Sequence, residues 1–206
     1  MKNVLLTLLS ISLMSCGSSD FLGLGGTGET SCKYIDIDDS DGYVDIKESA
    51  MLNVTQVNQY PNYCGPASLS MVLEYNGFSY TQKELGQMMD ISPVNGVTPD
   101  QIVKVAKNLG FNKSSVVSCD LGILLYSVDN DVPVIVRTYD ETLNSAHYMV
   151  VVGYDLTSKS IYINDPADSS DRTTPKKLSF SSFEYLWNIN TLAANNNSSN
   201  LMILIK

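Results

Sequence analysis

A thiol attacks a carbonyl carbon only as thiolate, and its pKa falls when it sits at a helix N-terminus beside a histidine able to hold positive charge. Cys64 has that setting in Tyr63-Cys64-Gly65-Pro66-Ala67, ahead of an apolar run. Pro66 suits a first turn that needs no amide hydrogen, and Gly65 would let a substrate approach the backbone closely. The chain has one histidine, His147, too few to build a zinc site and well suited to serve as a base. Asp165, in Asn164-Asp165-Pro166, ends a strand expected to return beside His147, where its carboxylate would accept from one imidazole nitrogen and leave the other facing the thiol. Gln59 precedes Cys64 by five residues, so its amide could meet an oxyanion that the Cys64 backbone N–H also binds; Gln56 is the alternative. Each residue alone has a plainer use: an inert buried cysteine, a core histidine, a turn aspartate, a surface glutamine. The ordered set is what points to nucleophilic catalysis.

These residues need elements to hold them. Gly65 to Tyr75 is apolar on most faces, which predicts a helix buried in the domain and ended by Gly77. Thr81 with Glu84 forms a capping box that opens a second helix toward Met89. Thr98-Pro99 opens a third, closed by Gly110, and a fourth short helix is expected over Asp120 to Val128. Val132 to Thr138, His147 to Tyr154 and Ser160 to Asn164 are β-branched and aromatic runs of strand length, and the last two should pair as a hairpin across Leu156 to Lys159. Lys177 to Phe180 and Leu201 to Ile205 read as edge strands, with a short helix after Ser181 capped by Glu184. Helices first and strands second predict an α+β domain, a helical lobe against a mostly antiparallel sheet, with the cleft at their seam.

Taken together, Gln59, Tyr63-Cys64-Gly65-Pro66-Ala67-Ser68 with Met71-Val72-Leu73, Pro133 to Val136, His147-Tyr148 with Val150 to Tyr154, and Asn164-Asp165-Pro166 resemble the cysteine peptidase family 39-like domain. This papain-like group includes the enzymes that trim double-glycine leaders from bacteriocins. The resemblance runs from about Val54 to Trp187 and implies a papain-like fold and thiol hydrolysis of peptide bonds. It further implies Cys64 as nucleophile, His147 as base and then acid, Asp165 as orienter and Gln59 in the oxyanion hole. A non-catalytic module that binds a peptide or protein on the same fold is the competing reading. Acyl transfer to an amine through the same thioester is another.

The rest of the chain bears on where this would happen. Lys2, the apolar run Val4 to Met14 and Leu13-Met14-Ser15-Cys16 read as an export signal ending in a bacterial lipobox, too short to span a bilayer. Residues 1–16 would then be the signal and lipobox, with Cys16 as the lipidated residue, anchoring an exported protein to a bacterial membrane. Residues 17–31, rich in Gly, Ser and Thr, form a flexible tether; 32–53 an acidic segment; and 54–206 the peptidase domain. In the acidic segment Asp39, Asp41, Asp45 and Glu48 fall at the third, fifth, ninth and twelfth positions of an EF-hand-type count from Gly42. Ile37 at the first position cannot ligate, so a calcium loop competes with a solvated acidic hairpin. The proposed chemistry requires no cofactor. Cys32 and Cys119, left over in an oxidising compartment, form a candidate disulfide that would stabilise by about 4 to 5 kcal/mol through its long loop. A net charge of −9 argues against nucleic acid as a partner, which needs a basic footprint. Peptide or protein substrate and, through the lipid, a membrane are the partners expected.

Overall fold

The computed structural model describes residues 30–31, 46–140, 145–168, 174–188 and 200–206. Local sequence accounts for most helix boundaries. Helix α1 (Cys64–Tyr75) ends where Gly77 adopts a φ of 85°, with Gly77 N–H donating to Glu74 O and Phe78 N–H to Leu73 O. That is a Schellman closure, open to glycine because a left-handed residue without Cβ costs little. Helix α2 (Gln82–Met88) and helix α3 (Pro99–Asn108) each open on a reciprocal capping box, Thr81 with Glu84 and Thr98 with Gln101. Helix α3 closes like α1, with Gly110 at a φ of 103° and Phe111 N–H on Ala106 O. The residues just past the two closures, Phe78 and Phe111, meet edge to face at 5.2 Å, so two local stops become one tertiary contact.

Helix α4 (Leu121–Asp129) is capped by Asp120, whose carboxylate accepts from Ile123 N–H. Helix α5 (Phe180–Asn188) departs from expectation. It starts earlier than Ser181, and the Ser179 hydroxyl accepts from Ser182 N–H, so Ser179 is its cap and the Ser181 with Glu184 box is not used.

Among the described residues, eight strands make one sheet in the order β1-β3-β8-β4-β5-β6-β7, with β2 pairing β5 off that path. Their ranges are β1 Thr30–Ser31, β2 Ser49–Met51, β3 Ser115–Ser118, β4 Val134–Asp140, β5 Ser145–Asp155, β6 Ser160–Asn164, β7 Lys176–Ser179 and β8 Leu201–Leu204. Only β1 with β3 is parallel among the described pairs. The expected hairpin is β5 with β6. Strand β8 corrects the reading of Leu201 to Ile205 as an edge: it lies between β3 and β4, and its residues are buried. A run of apolar residues without alternation belongs inside a sheet covered on both faces.

Strand β5 is the spine. Tyr148 through Val152 and Tyr154 are buried, and α1 and α4 both pack on it. Its register with β6 slips between Val151 and Gly153, and the Val152 carbonyl accepts from Leu52 N–H at 2.7 Å. The bulge lets β2 take over as neighbour of β5 at Gly153 to Asp155, beyond the end of the β4 pairing at Val151. Residues 49–51, placed by sequence in the acidic segment ahead of the domain, are therefore part of its sheet.

A polar knot fixes the same stretch. The Tyr154 hydroxyl is within hydrogen-bond reach of Lys47 O at 2.9 Å and Asp129 Oδ1 at 2.8 Å, while Lys47 N–H donates to that carboxylate oxygen and Lys47 Nζ to the Asp129 carbonyl. Tyr154→Phe is expected to cost about 1.5 kcal/mol, the worth of a hydrogen bond to a charged group, and to lower Tm by roughly 4 °C. Thermal unfolding followed by circular dichroism measures this; an unchanged Tm would leave the anchoring of residues 46–51 to the β2 pairing alone.

Candidate active site

Cys64 is the first residue of α1, and nothing competes with it there. The preceding Tyr63 makes no side-chain cap, and the first turn carries no acidic residue, so the positive end of the helix is left to the sulfur. Burial pushes the Cys64 thiol up, but the hydrogen bond and charge of His147, together with the backbone N–H groups of Tyr148 and Gly65, outweigh it and leave the pKa lowered. The role expected of Gly65 needs correction. A Cβ there would lie 2.3 Å from Val97 Cγ2 and 3.3 Å from Ile102 Cδ1. The space is occupied by the protein's own side chains, and the glycine is required for packing α1 against α3 and its leading loop rather than for substrate approach.

His147 lies on β5 opposite Thr138, whose hydroxyl donates to the His147 carbonyl at 3.3 Å. Its Nε2 is 2.7 Å from Asp165 Oδ1, which leaves Nδ1 as the nitrogen for the Cys64 sulfur. Burial opposes the charged imidazole, yet the hydrogen bonds and charges of Asp165 and Cys64 raise its pKa to about 9. Asp165 is itself held below the usual carboxylate range: burial works against this, but the His147 bond and charge, Ala167 N–H and Lys176 prevail. The hairpin places this carboxylate. Asn164 pairs with Val150 as the last residue of β6, and Asp165 follows at once. Lys176 on β7 brings Nζ to 3.9 Å from Asp165 Oδ2, a contact that sequence reading did not anticipate because it depends on the β6 and β7 register.

The two glutamines separate. Gln56 is buried and its Nε2 donates to Asp165 O at 3.0 Å and Asp168 O at 3.1 Å. Both amide hydrogens are spent, so Gln56 has none for an oxyanion. Gln59 is tied by its backbone N–H to Pro166 O at 2.8 Å, and its Oε1 is buried without a hydrogen-bond partner. Its side chain thus has a buried oxygen without a partner, whereas both amide hydrogens of Gln56 are engaged.

The structure therefore brings Cys64, His147 and Asp165 into one contact chain at the seam of helix and sheet, from the start of α1, from β5 and from the end of β6. A thiolate beside an imidazolium steadied by a carboxylate can attack an acyl carbon and protonate its leaving group. Tyr148 is a further member that sequence gave no role. Its backbone N–H reaches Cys64, its hydroxyl donates to Val97 O at 3.2 Å, and burial raises its phenol pKa, so it is a hydrogen-bonding fixture rather than a titrating group.

Other predicted sites lie partly out of view. Cys16, Cys32, Asp39, Asp41 and Asp45 fall outside the described residues. Glu48 is described and is engaged elsewhere, its side chain accepting from the Thr157 hydroxyl and its carbonyl from Leu156 N–H. Among the described residues no group of three or more His, Cys, Asp or Glu is placed to hold a metal ion. Cys119 is disulfide-bonded, its partner outside the described residues, and Cys64 is the free cysteine among them. No helix among the described residues is long and apolar enough to cross a membrane.

Comparison with known proteins supplies the context. The profile of the Peptidase_C39 like family matches residues 51–194. The pediocin PA-1 transport/processing ATP-binding protein PedD of Pediococcus acidilactici is 36% identical over 126 residues, which are 61% of this chain and 16% of that protein. The chain thus spans only a small part of the length of that relative. Among solved structures, the peptidase domain of Streptococcus ComA, a bifunctional ABC transporter of a quorum-sensing pathway, superposes with a TM-score of 0.57 at 27% identity, over 74% of this chain and 98% of that one. Xylellain, a cysteine protease from Xylella fastidiosa, shares the fold at a TM-score of 0.55 and 11% identity, over 78% of this chain and 86% of that one.

Proposed function

The chain belongs to the Peptidase_C39 like family and is a cysteine peptidase domain of papain-like fold, and from that premise we propose that it hydrolyses peptide bonds with Cys64 as nucleophile, His147 as base and acid, Asp165 as orienter and Gln59 in the oxyanion hole. The observation that carries the assignment is the continuous contact from Asp165 Oδ1 through both ring nitrogens of the only histidine to the Cys64 sulfur.

The steps follow from that geometry. Cys64 thiolate adds to the scissile carbonyl carbon, and the oxygen takes the negative charge beside the Cys64 backbone N–H and the Gln59 amide. The tetrahedral adduct collapses, the C–N bond breaks, and the Nδ1 proton of imidazolium passes to the leaving amine. Neutral His147 then takes a proton from water as its oxygen attacks the thioester, and the carboxylate product leaves with thiolate and imidazolium restored. Asp165 stays ionised throughout and accepts from Nε2.

The substrate in this reading is a peptide or protein met outside the cytoplasm, because Leu13-Met14-Ser15-Cys16 supports export and lipidation at Cys16. Incubation with a proteome-derived peptide library that includes double-glycine sequences, under mild reduction, tests the activity by mass spectrometry of new termini. Cleavage that disappears when Cys64 is first alkylated with iodoacetamide is the expected result. Peptides retained by the protein with no new termini would instead select the binding module. Products extended by an added amine would select acyl transfer.

A further inference from the structure

The contact chain described above stops at Asp165, yet a carboxylate following a strand needs something to hold it. Asp165 opens a short turn in which Asp168 N–H returns to the Asp165 carbonyl at 3.0 Å and Ala167 N–H donates to Asp165 Oδ1 at 3.0 Å. The oxygen that meets His147 Nε2 is thus the same one that the turn itself engages, so the orientation of the carboxylate follows the shape of the turn. One segment, residues 54–59, binds the turn's backbone from outside at three carbonyls: Gln56 Nε2 holds those at both ends, Asp165 and Asp168, and Gln59 N–H holds Pro166 O between them. Asn164 secures the other side, its Nδ2 donating to Val54 O at 2.8 Å.

Resting on the peptidase reading, we infer that Gln56 is a positioning residue that fixes the Asp165 carboxylate against His147 by clamping the turn from Asp165 to Asp168. An amide nitrogen with two hydrogens and two carbonyls at hydrogen-bond distance matches this task, and a side chain 8% exposed is not free to serve another. The same segment leads through Gln59 to Cys64, so the clamp also sets the distance between the orienting carboxylate and the extended stretch that carries Gln59. Holding such groups within a fraction of an ångström is what catalysis by preorganised dipoles requires.

The test uses the single histidine as its own reporter. In the full chain labelled with nitrogen-15, the imidazole of His147 is titrated by NMR in the parent, Gln56→Met, Asp165→Asn and the double variant. Methionine keeps the length of glutamine and removes both donors. The charged groups bearing on the pair are Cys64 from α1 and Lys176 from β7, with Arg137 of β4 acting on the neighbouring Tyr148; all are left in place.

The parent midpoint is expected near 9. Asp165→Asn should lower it by about 1 to 3 units, the effect of losing an adjacent opposite charge. Gln56→Met should lower it by a smaller amount in the same direction, and should add nothing in the Asp165→Asn background, since both act through one contact. An unmoved midpoint in Gln56→Met, even with a reduced Tm, would make Gln56 a plain structural residue and overturn the inference. So would an equal shift in both backgrounds. If Gln56→Met does not fold, Gln56→Asn withdraws the same amide by one methylene and is read by the same criteria. A parent midpoint close to the ordinary histidine value would reject the peptidase pair itself, a different outcome from failure of the clamp.

Discussion

Cys64→Ala is expected to reduce peptide hydrolysis by at least about 10³-fold while the fold and the capacity to hold peptide remain. The magnitude follows from what a covalent nucleophile supplies: without it the remaining groups can only polarise the bond and steer a water, and enzymes stripped of one member of such a set retain only slow residual catalysis. The fold survives because alanine suits the first position of α1 and because the helix is secured by the buried run from Gly65 to Leu73. Removing the sulfur also removes one of the two groups that keep His147 protonated, so the variant imidazole should titrate below its parent value of about 9. Comparing turnover, peptide affinity and the His147 midpoint in one variant separates the readings. Loss of turnover with affinity intact supports the peptidase; equal turnover in parent and variant would remove Cys64 from the chemistry altogether.

What could be read from the sequence divides along the range of the interactions involved. The capping box of α2, the Thr98-Pro99 start of α3, the glycine stops after α1 and α3, and the β5 with β6 hairpin are decided within a few residues, and all are found where local chemistry places them. The residues that the structure brings into contact, Cys64, His147 and Asp165, carry a local signal of a related kind. Helix N-terminus, strand and hairpin end are each local, so the residue types at those points could be named before their contacts were known. Strand β3 and the interior place of β8 were not legible. Ser115–Ser118 has two valines between serines, and what makes it a strand is its pairing with residues far along the chain at Leu201–Leu204. Gln56 shows the same limit inside the site: two glutamines three residues apart look alike in sequence, and only the turn reaching back from β6 tells a clamp from a free amide.

Replacing His147 should act on Cys64 in a direction that a simple loss of a base does not predict. Burial is the largest influence on the Cys64 thiol and raises its pKa; the hydrogen bond and charge of His147 are the main forces against it. With His147→Ala, only the backbone N–H groups of Tyr148 and Gly65 oppose burial, so the thiol should move to or above the ordinary value of about 8.5. In the parent, thiolate and imidazolium coexist over a window that opens below that value and closes as His147 loses its proton near pH 9. At pH 7 the variant would hold only a few per cent thiolate, and alkylation of Cys64 by iodoacetamide should fall by up to about 30-fold. The rate of modification, followed by mass analysis of the Cys64 peptide across pH, carries the sign: the parent should show a reactive plateau on the acid side of 8.5, and the variant a single rise above it. A linked effect on stability follows from the same shift. A histidine raised to about 9 in the folded state, against about 6.5 unfolded, stabilises fully below pH 6.5 and loses that contribution as pH climbs through 9. The lowered Cys64 thiol works the opposite way, gaining its contribution as pH rises toward about 8.5, so the two offset between about 6.5 and 8.5. Relative to His147→Ala the parent should hold its Tm across that interval and lose it only above about 8.5, as His147 gives up its proton near 9, whereas parallel Tm profiles and a Cys64 thiol indifferent to His147 would mean that the pair is a packing contact and not an ion pair.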